Sequence, residues 1–329
     1  MAYVPPHKRR SKEGEGCNES NKPPLNSNKR TPCKENYGSL AYNRTTQLPP
    51  DFGQITLYYC INLSERPDKW RAFQNRALNV HSEFAGLVKR FDAVNGKHVL
   101  REGRCSDDCI KLVWDASINA KYSSRARPGT KTMTAGEVGC ALSHVELWKI
   151  LTSTESSSEN PVMMVLEDDA VFSSVAGRSR FVDVLAQALD NVPSDWGILY
   201  LGFSGRGERH YVEAMHNKNR HKSKYLYTVE IYQPEYGYHT HAYLITQQAA
   251  LILLNKLPVQ GPIDVWLADN NWFDIPVYSA VIANEGWKRE DGTFEGAVLV
   301  SQERGHGLKS DVQQSSRVRA GNIAKQNKF

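Results

Sequence analysis

The segment that most restricts the fold is a run of five apolar residues, Val162–Leu166, followed directly by Glu167, Asp168 and Asp169. A strand that is apolar at every position is typical of a sheet that is covered on both faces. We therefore predict that this run is an inner strand of an α/β domain. Because ligands of open α/β sheets bind at the carboxyl ends of the strands, the three acids are predicted to lie at a functional edge.

Strand and helix patterns alternate on either side of this run. Ile55–Leu63 is β-branched and aromatic, which is typical of a strand, and Pro67 follows near the start of a helical segment. Thr134 and Glu137 have the spacing of a capping box, which predicts the start of another helix. This alternation predicts an α/β fold with a mixed, mostly parallel central sheet.

The three acids are chemically unusual because adjacent carboxylates repel one another. In an extended chain Glu167 and Asp169 point to one side and Asp168 points to the other. We predict that Glu167 and Asp169 share Mn²⁺ or Mg²⁺, which accept carboxylate oxygens, and that Asp168 anchors the loop. The alternative is that the acids cap a helix that begins near Ala170.

Histidines and glycines mark other candidate positions. His144 lies at the edge of the apolar stripe of the second helix, and it is predicted either to contact a substrate or to be an ordinary core histidine. His239 and His241 alternate around Thr240, which predicts a shared face. His241 is our candidate metal ligand, with cross-strand packing as the alternative. The segment Gly202–His210 is glycine-rich without a complete dinucleotide fingerprint, and it is predicted to be a mobile loop.

The excess positive charge is confined to the beginning of the chain. Residues 1–50 contain nine Lys/Arg and four Asp/Glu, and the remainder contains 32 of each sign, so the whole net charge of +5 lies in this part. The basic, proline-rich residues 1–51 are predicted to be disordered, with Tyr3–His7 as a candidate protein-binding motif. Residues 311–329 are predicted to be a flexible tail. The domain between them comprises residues 52–310. The chain beyond residue 50 is neutral overall, which argues against nucleic acid as a partner.

The cysteines and the absence of targeting segments indicate a compartment. Cys60 and Cys140 lie in apolar segments, where buried thiols are common, and Cys105 and Cys109 have no second pair with zinc-site spacing. We therefore expect free thiols in a reducing environment. Neither a secretory signal nor a membrane span is recognisable in the sequence, so a cytoplasmic location is expected.

Several blocks of the chain together resemble glycosyltransferase family 25. They lie between Tyr58 and Leu267 and read YYCINLSERPDKW, FDAVNG, MTAGEVGCALSHVELW, VLEDDA and GYHTHAYLITQQAALILL. The resemblance implies a GT-A-like domain that transfers a hexose with inversion from a UDP-sugar, usually UDP-galactose, to a hydroxyl group of a glycan or protein. The alternative is a glycosyltransferase-like binding or scaffold protein without turnover, against which the intact acidic motif argues.

The resemblance also suggests roles for individual residues. The acidic motif of the family falls on Glu167 and Asp169, which would bind the metal and the nucleotide. Asp264 matches a late aspartate of the family and is our candidate general base, with helix N-capping as the alternative. Asn62 and Arg66 follow the first strand, where contacts to the base and ribose of the donor are usual. A surface ion pair is the alternative for Arg66.

Overall fold

The protein is described by a computed structural model. It covers residues 47–104, 107–118, 129–156, 158–175, 178–212, 228–268, 274–288 and 294–303. Every described residue belongs to one compact unit, Thr45–Phe329. The predicted C-terminal tail, and the predicted N-terminal tail up to residue 46 with its candidate protein-binding motif, therefore lie outside the described residues.

The described residues form helices and strands in the order expected for an α/β domain. The helices are α1 (Pro67–Val80), α2 (Ser82–Leu87), α3 (Gly96–Arg101), α4 (Ala135–Thr152), α5 (Phe181–Asn191), α6 (Gln247–Asn255) and α7 (Ile263–Leu267), with 3₁₀ turns at Pro50–Gln54 and Ala116–Ile118. The strands are β1 (Leu57–Asn62), β2 (Lys89–Asp92), β3 (Ile110–Lys111), β4 (Val113–Asp115), β5 (Thr130–Thr132), β6 (Val162–Glu167), β7 (Ala170–Phe172), β8 (Ser174–Val175), β9 (Arg178–Ser179), β10 (Ile198–Val212), β11 (Val229–Thr246), β12 (Val259–Gln260), β13 (Val277–Lys288), β14 (Phe294–Val298) and β15 (Val300–Gln302).

Seven of these strands form the central sheet, in the order β10-β14-β13-β11-β6-β1-β2, with β10 also paired to β11 and β13. Strand β1 lies between β2 and β6 and is parallel to both. Strand β11 is antiparallel to β6, β10 and β13, and β14 is antiparallel to β13. Five strands therefore run in one direction and two in the other. The prediction of a mixed, mostly parallel sheet is confirmed, and the arrangement is consistent with a GT-A-like domain.

Strand β6 is covered on both faces, as its uninterrupted apolar run predicts. Met163 and Val165 pack into a core formed with α4 and α6. Met164 and Leu166 pack on the opposite face, in a core formed with α1 and α5. All four side chains are fully buried. Because both cores bury apolar surface on this strand, its end at Glu167 is held firmly in the sheet.

Close backbone contact fixes helix α4 against the chain that follows β2. A Cβ atom on Gly139 would lie 2.5 Å from the carbonyl oxygen of Val94, so only glycine fits at this position. The Ser143 hydroxyl accepts a hydrogen bond from the Val94 amide at 2.9 Å and donates one to the Gly139 carbonyl at 2.7 Å. These contacts set the position of His144, the next residue on the helix.

One prediction about local structure is wrong, and one alternative is excluded. The segment Gly202–His210 is part of strand β10, which pairs with β11 through several register shifts, and it is not a loop. The chain after the three acids forms strand β7, in which Phe172 pairs with Val300 of β15, so the acids do not cap a helix. Of the helices in the described part of the chain, none has the length and apolar character needed to cross a membrane.

Candidate active site

The three acids lie at the carboxyl edge of the parallel part of the sheet. Glu167 is the last residue of β6 and is paired with Ile61 of β1, and Asp168 and Asp169 form the turn into β7. Strands β1, β2 and β6 run in the same direction, so their carboxyl ends meet at this edge. This is the position at which open α/β sheets bind ligands.

Glu167 is surrounded by groups that stabilise its charged form. Its Oε1 accepts a hydrogen bond from Thr240 Oγ1 at 2.9 Å and lies 3.6 Å from His144 Nε2. Burial tends to raise the pKa of this carboxyl, but His144, His241 and Thr240 outweigh the burial and lower the pKa below its usual range. Glu167 is therefore an anion at neutral pH.

His144 is fully buried and is bonded on one side only. Its Nδ1 lies 2.9 Å from Tyr243 Oη, and that hydroxyl also accepts a hydrogen bond from Trp148 Nε1 at 3.1 Å. Its Nε2 faces Glu167 and has no hydrogen-bond partner among the described residues. A core histidine kept only for packing would have both nitrogens paired. The contact of His144 with a substrate remains a prediction.

Asp168 is the anchor of the turn, as the alternation of side chains predicts. Its Oδ2 accepts a hydrogen bond from Asn62 Nδ2 at 2.7 Å, and its Oδ1 lies 3.5 Å from Lys69 Nζ. Arg76 on α1 donates to the backbone carbonyls of Asp168 and Ala170. These contacts hold the turn between β6 and β7 to the end of β1 and to α1.

The two candidates for nucleotide contacts already have partners within the protein. The Asn62 amide donates to Asp168 and to the Arg66 carbonyl, and its oxygen accepts a hydrogen bond from Arg90 Nε at 2.9 Å. Arg66 forms an ion pair with Asp68 at 3.3 Å, which is the alternative expected from the sequence. The contacts of Asn62 and Arg66 with a donor nucleotide remain predictions.

Asp169 is a strongly perturbed acid. Its Oδ2 accepts a hydrogen bond from Gln302 Nε2 at 2.8 Å, whereas its Oδ1 is buried and has no partner among the described residues. Burial and the neighbouring charge of Glu167 together raise the pKa of Asp169 to about 7. Gln302 was not singled out in the sequence, since no local pattern connects β15 with residues so far away in the chain.

This perturbation predicts a pH-dependent stability effect. In the metal-free protein the Asp169→Asn variant should melt at a higher temperature than the wild type at pH 8, and the difference should shrink toward pH 5. A carboxyl whose pKa is raised on folding stabilises the protein below the unfolded pKa, and this stability is lost as pH rises through about 7. Asparagine has no charge at any of these pH values, so the variant should not lose stability in this way as pH rises.

Thermal melts in the presence of a chelator, from pH 5 to pH 8, measure this difference. The control is Asp92→Asn at the exposed end of β2, whose ion pair with Arg90 is a surface contact of little energetic weight. Parallel melting curves for the wild type and Asp169→Asn across the whole pH range would contradict the prediction.

His241 is buried, with 3% of its surface exposed, and its two nitrogens differ. Nε2 lies 3.1 Å from the Val300 carbonyl and therefore has the proton, whereas Nδ1 is buried and has no partner among the described residues. Burial lowers the pKa of His241, so the ring is neutral at physiological pH and Nδ1 has a free lone pair. A Cβ atom on Gly202 would collide with this ring, so glycine at that position makes room for it.

The neighbouring histidine departs from regular strand geometry. His239 has a φ of 73° and is exposed, and the pairing of β10 with β11 shifts register at this point. The simple alternation that predicts one shared face for His239 and His241 therefore does not apply, although the two ring centroids are only 6.1 Å apart. Positive φ in a residue other than glycine is a strained conformation that is often found at functional sites.

Asp264 lies near the same group of residues. It is the second residue of α7, and the helix is preceded by Pro262 with no side-chain cap, so N-capping does not explain Asp264. Burial, reinforced by the charge of Glu167, raises the pKa of Asp264, and His239 opposes this effect. The structure thus brings the candidate base into the electrostatic surroundings of Glu167, although the two are distant in the sequence.

One set of three residues is close enough to hold a metal ion. The ligand atoms of Cys140, His144 and Glu167 all lie within 4.8 Å of one another, and the described residues contain no other such set. Neither Asp169 nor His241 belongs to it, and their role as metal ligands remains a prediction. Cys140 is a free thiol, as expected, but its proximity to His144 and Glu167 was not anticipated.

The sheet and its flanking helices define an α/β domain with a cluster of acids at the carboxyl edge of its parallel strands. The sequence model described as glycosyltransferase family 25 (LPS biosynthesis protein) matches residues 56–267, and the chain belongs to this family.

Similar proteins extend the comparison. A glycosyltransferase 25 family member of Anopheles gambiae is 29% identical over 259 residues, covering 76% of this chain and 37% of that protein. Procollagen galactosyltransferase 1-A of Xenopus laevis is 29% identical over 221 residues, covering 66% and 31%. Procollagen galactosyltransferase 2 of Homo sapiens is 27% identical over 223 residues, covering 66% and 30%. The chain thus spans about a third of the length of these relatives.

Proposed function

We propose that this domain transfers a hexose, galactose in the first instance, from a UDP-sugar to a hydroxyl group of a protein or glycan. The observation that supports this proposal best is the effect of Glu167, at the carboxyl edge of the sheet, on two other acids. Burial, reinforced by the charge of Glu167, raises the pKa of both Asp169 and Asp264. Acids with such perturbed pKa values are concentrated at functional sites.

Glu167, Asp169 and His241 have donor atoms of the kind that bind a divalent cation, although among the described residues they do not form a set with all ligand atoms within 4.8 Å of one another. Asp169 Oδ1 and His241 Nδ1 are both buried without a partner among the described residues, and coordination would satisfy both atoms. Carboxylate oxygens of Glu167 and Asp169 suit Mn²⁺ or Mg²⁺. When bound, the cation would neutralise the negative charge that develops on the UDP leaving group.

The protein itself prepares this edge for an ionic ligand. Thr240 and His144 hold Glu167 in its charged form. Asn62 and Lys69 bind Asp168, which fixes the turn between Glu167 and Asp169. The arrangement is preorganised, so little reorganisation is needed when charge develops in the transition state.

Asp264 is the proposed general base. Inversion by a single displacement needs a group that takes the proton of the acceptor hydroxyl as that oxygen attacks the anomeric carbon. Burial raises the pKa of Asp264 above the ordinary value of an aspartate, which makes it a stronger base while it still ionises. Asp264 is not the N-cap of α7, so capping does not account for this acid.

The choice of galactose rests on the relatives. Two of those described above are named procollagen galactosyltransferase. Because this chain spans about a third of their length, we propose the acceptor only as a class, a hydroxyl group of a protein or glycan.

Calorimetric titration with UDP, UDP-galactose and UDP-glucose tests the proposal. We expect UDP to bind in the presence of Mn²⁺ and to bind much more weakly with chelator. Asp169→Asn should lose the metal-dependent part of the affinity, because one carboxylate oxygen is replaced by an amide. Asp92→Asn, an exposed aspartate at the same edge of the sheet, serves as the matched control and should bind as the wild type does.

Turnover is measured separately, as release of free UDP from UDP-galactose. Metal-dependent binding with slow release of UDP would support a transferase. Metal-dependent binding without any release, across a panel of protein and glycan acceptors, would favour the scaffold alternative. The absence of UDP binding at any metal concentration would overturn the assignment of the donor.

A further inference from the structure

We propose that Cys140, His144 and Glu167 form a binding site for a soft divalent cation of the zinc class. This site has a different donor set from the proposed Mn²⁺ or Mg²⁺ site. It combines a thiol, an imidazole and a carboxylate, which are the ligands that Zn²⁺ uses in proteins. The site shares only Glu167 with the proposed catalytic metal site.

The geometry of the three residues favours coordination. Cys140 and His144 are four residues apart on α4, so their side chains lie on one face of the helix, one above the other. The end of β6 brings Glu167 to the same face, and all three ligand atoms lie within 4.8 Å of one another. Ligand atoms of a tetrahedral zinc site are roughly 3.5 Å apart, given bond lengths of about 2.0–2.3 Å. Small side-chain rotations would shorten the distances between the ligand atoms to this value.

A second and independent observation is the unpaired nitrogen of His144. The side chain is fully buried, and its Nε2 has no hydrogen-bond partner among the described residues although it lies 3.6 Å from Glu167. A buried nitrogen without a partner is costly, and a metal bond would remove that cost.

The other ring nitrogen of His144 has the partner that a metal ligand requires. Histidines that bind metals usually donate their second N–H to an oxygen, which fixes the ring. In this chain Nδ1 lies 2.9 Å from Tyr243 Oη, and Trp148 holds the same hydroxyl at 3.1 Å. A cation bound at Nε2 would fix the ring proton on Nδ1, from which it can be donated to Tyr243 Oη. The supporting hydrogen bonds of a metal site are therefore already in place.

Coordination by this donor set would leave the site with a balanced charge. On binding, the thiol loses its proton to solvent and the thiolate forms a bond to the cation, so that the +2 ion is balanced by one thiolate and one carboxylate. The thiol, the imidazole and the carboxylate remain in their original oxidation states.

Occupation of this site would withdraw Glu167 from the catalytic edge. If the domain is the proposed transferase, cations of the zinc class would inhibit transfer, whereas Mn²⁺ would support it. Only this consequence rests on the proposed function. The binding itself does not depend on any catalytic activity, so it can be tested without a substrate.

Cobalt is the probe for the full-length, chelator-treated protein. Co²⁺ bound by a thiolate in a tetrahedral site gives a strong thiolate-to-metal charge-transfer band, and added Zn²⁺ should displace it at one equivalent. We expect the band to be lost in Cys140→Ser and kept in Cys109→Ser, a matched change at another free cysteine. A band that persists in Cys140→Ser, or no band in the wild type, would overturn the proposal.

A second measurement keeps the proposal testable if Cys140→Ser fails to fold. X-ray absorption of the wild-type protein with one equivalent of Zn²⁺ should show one sulfur and one imidazole in the coordination shell. A shell that contains only oxygen and nitrogen would overturn the site. Because neither experiment uses UDP, failure here is distinguishable from failure of the proposed transferase activity.

Discussion

Replacing Glu167 with glutamine is expected to lower hexose transfer by a factor on the order of 10² to 10³, the typical loss when one preorganised electrostatic group is removed. Glutamine keeps the size of the side chain and can still accept the hydrogen bond from Thr240. It removes the negative charge that His144 and His241 stabilise. The rate of UDP release from UDP-galactose, with saturating Mn²⁺ and acceptor, measures this loss.

The same substitution has a readout that does not depend on turnover. The charge of Glu167 helps to raise the pKa of Asp169 to about 7, so this pKa should fall in Glu167→Gln. Binding of a cation requires ionised Asp169, and the pH midpoint of metal-dependent UDP binding should therefore move to lower pH. The matched control is Glu146→Gln, an exposed glutamate on α4. Wild-type activity together with an unchanged midpoint would show that Glu167 has neither role.

Replacing Asp264 with asparagine is expected to lower the rate of transfer by a factor on the order of 10² to 10⁴, the usual contribution of a general base. UDP affinity should be unchanged, because the base acts on the acceptor and not on the nucleotide. In the wild type, activity should rise with pH as Asp264 ionises. Burial and Glu167 raise the pKa of Asp264, so this rise should lie above the pH range of an ordinary aspartate.

The pH profile separates a base from a structural residue. In Asp264→Asn the rise of activity with pH that belongs to Asp264 should disappear, and the residual rate should be flat over that range. Asp68→Asn, which breaks only an exposed ion pair with Arg66, is the control and should keep the profile of the wild type. A variant that retains the wild-type profile at reduced rate, or that loses UDP binding as well, would contradict the assignment of Asp264 as base.

The sequence predicted the parts of the fold that depend on local pattern. The uninterrupted apolar run Val162–Leu166 predicted a strand buried on both faces, because successive side chains of a strand point to opposite faces of the sheet. The capping-box spacing of Thr134 and Glu137 predicted the start of α4, and both reciprocal hydrogen bonds are present. The contacts of Asp168 that anchor the turn also followed from alternation.

Predictions failed where strand pairing overrode local composition. Gly202–His210 reads as a loop because of its glycines, yet pairing with β11 makes it a strand. The sequence suggests that the side chains of His239 and His241 point to the same face of the strand, but the positive φ of His239 interrupts the regular alternation of side chains. At both positions, contacts between segments far apart in the chain decide the backbone conformation, and no short sequence window contains them.

The sequence by itself thus determined the family, the mixed, mostly parallel sheet and the acidic edge. These features follow from the order of apolar and polar residues, which reflects burial, and from the spacing of motifs, which reflects local geometry. Only the tertiary structure decided which atoms meet there. It paired Asp169 with Gln302, placed Asp168 against the amide of Asn62, and brought Glu167 to Cys140 and His144. These contacts arise from packing between elements that are distant in the chain. The pKa values of Asp169 and Asp264 then depend on burial and on neighbouring residues that cannot be identified from the sequence.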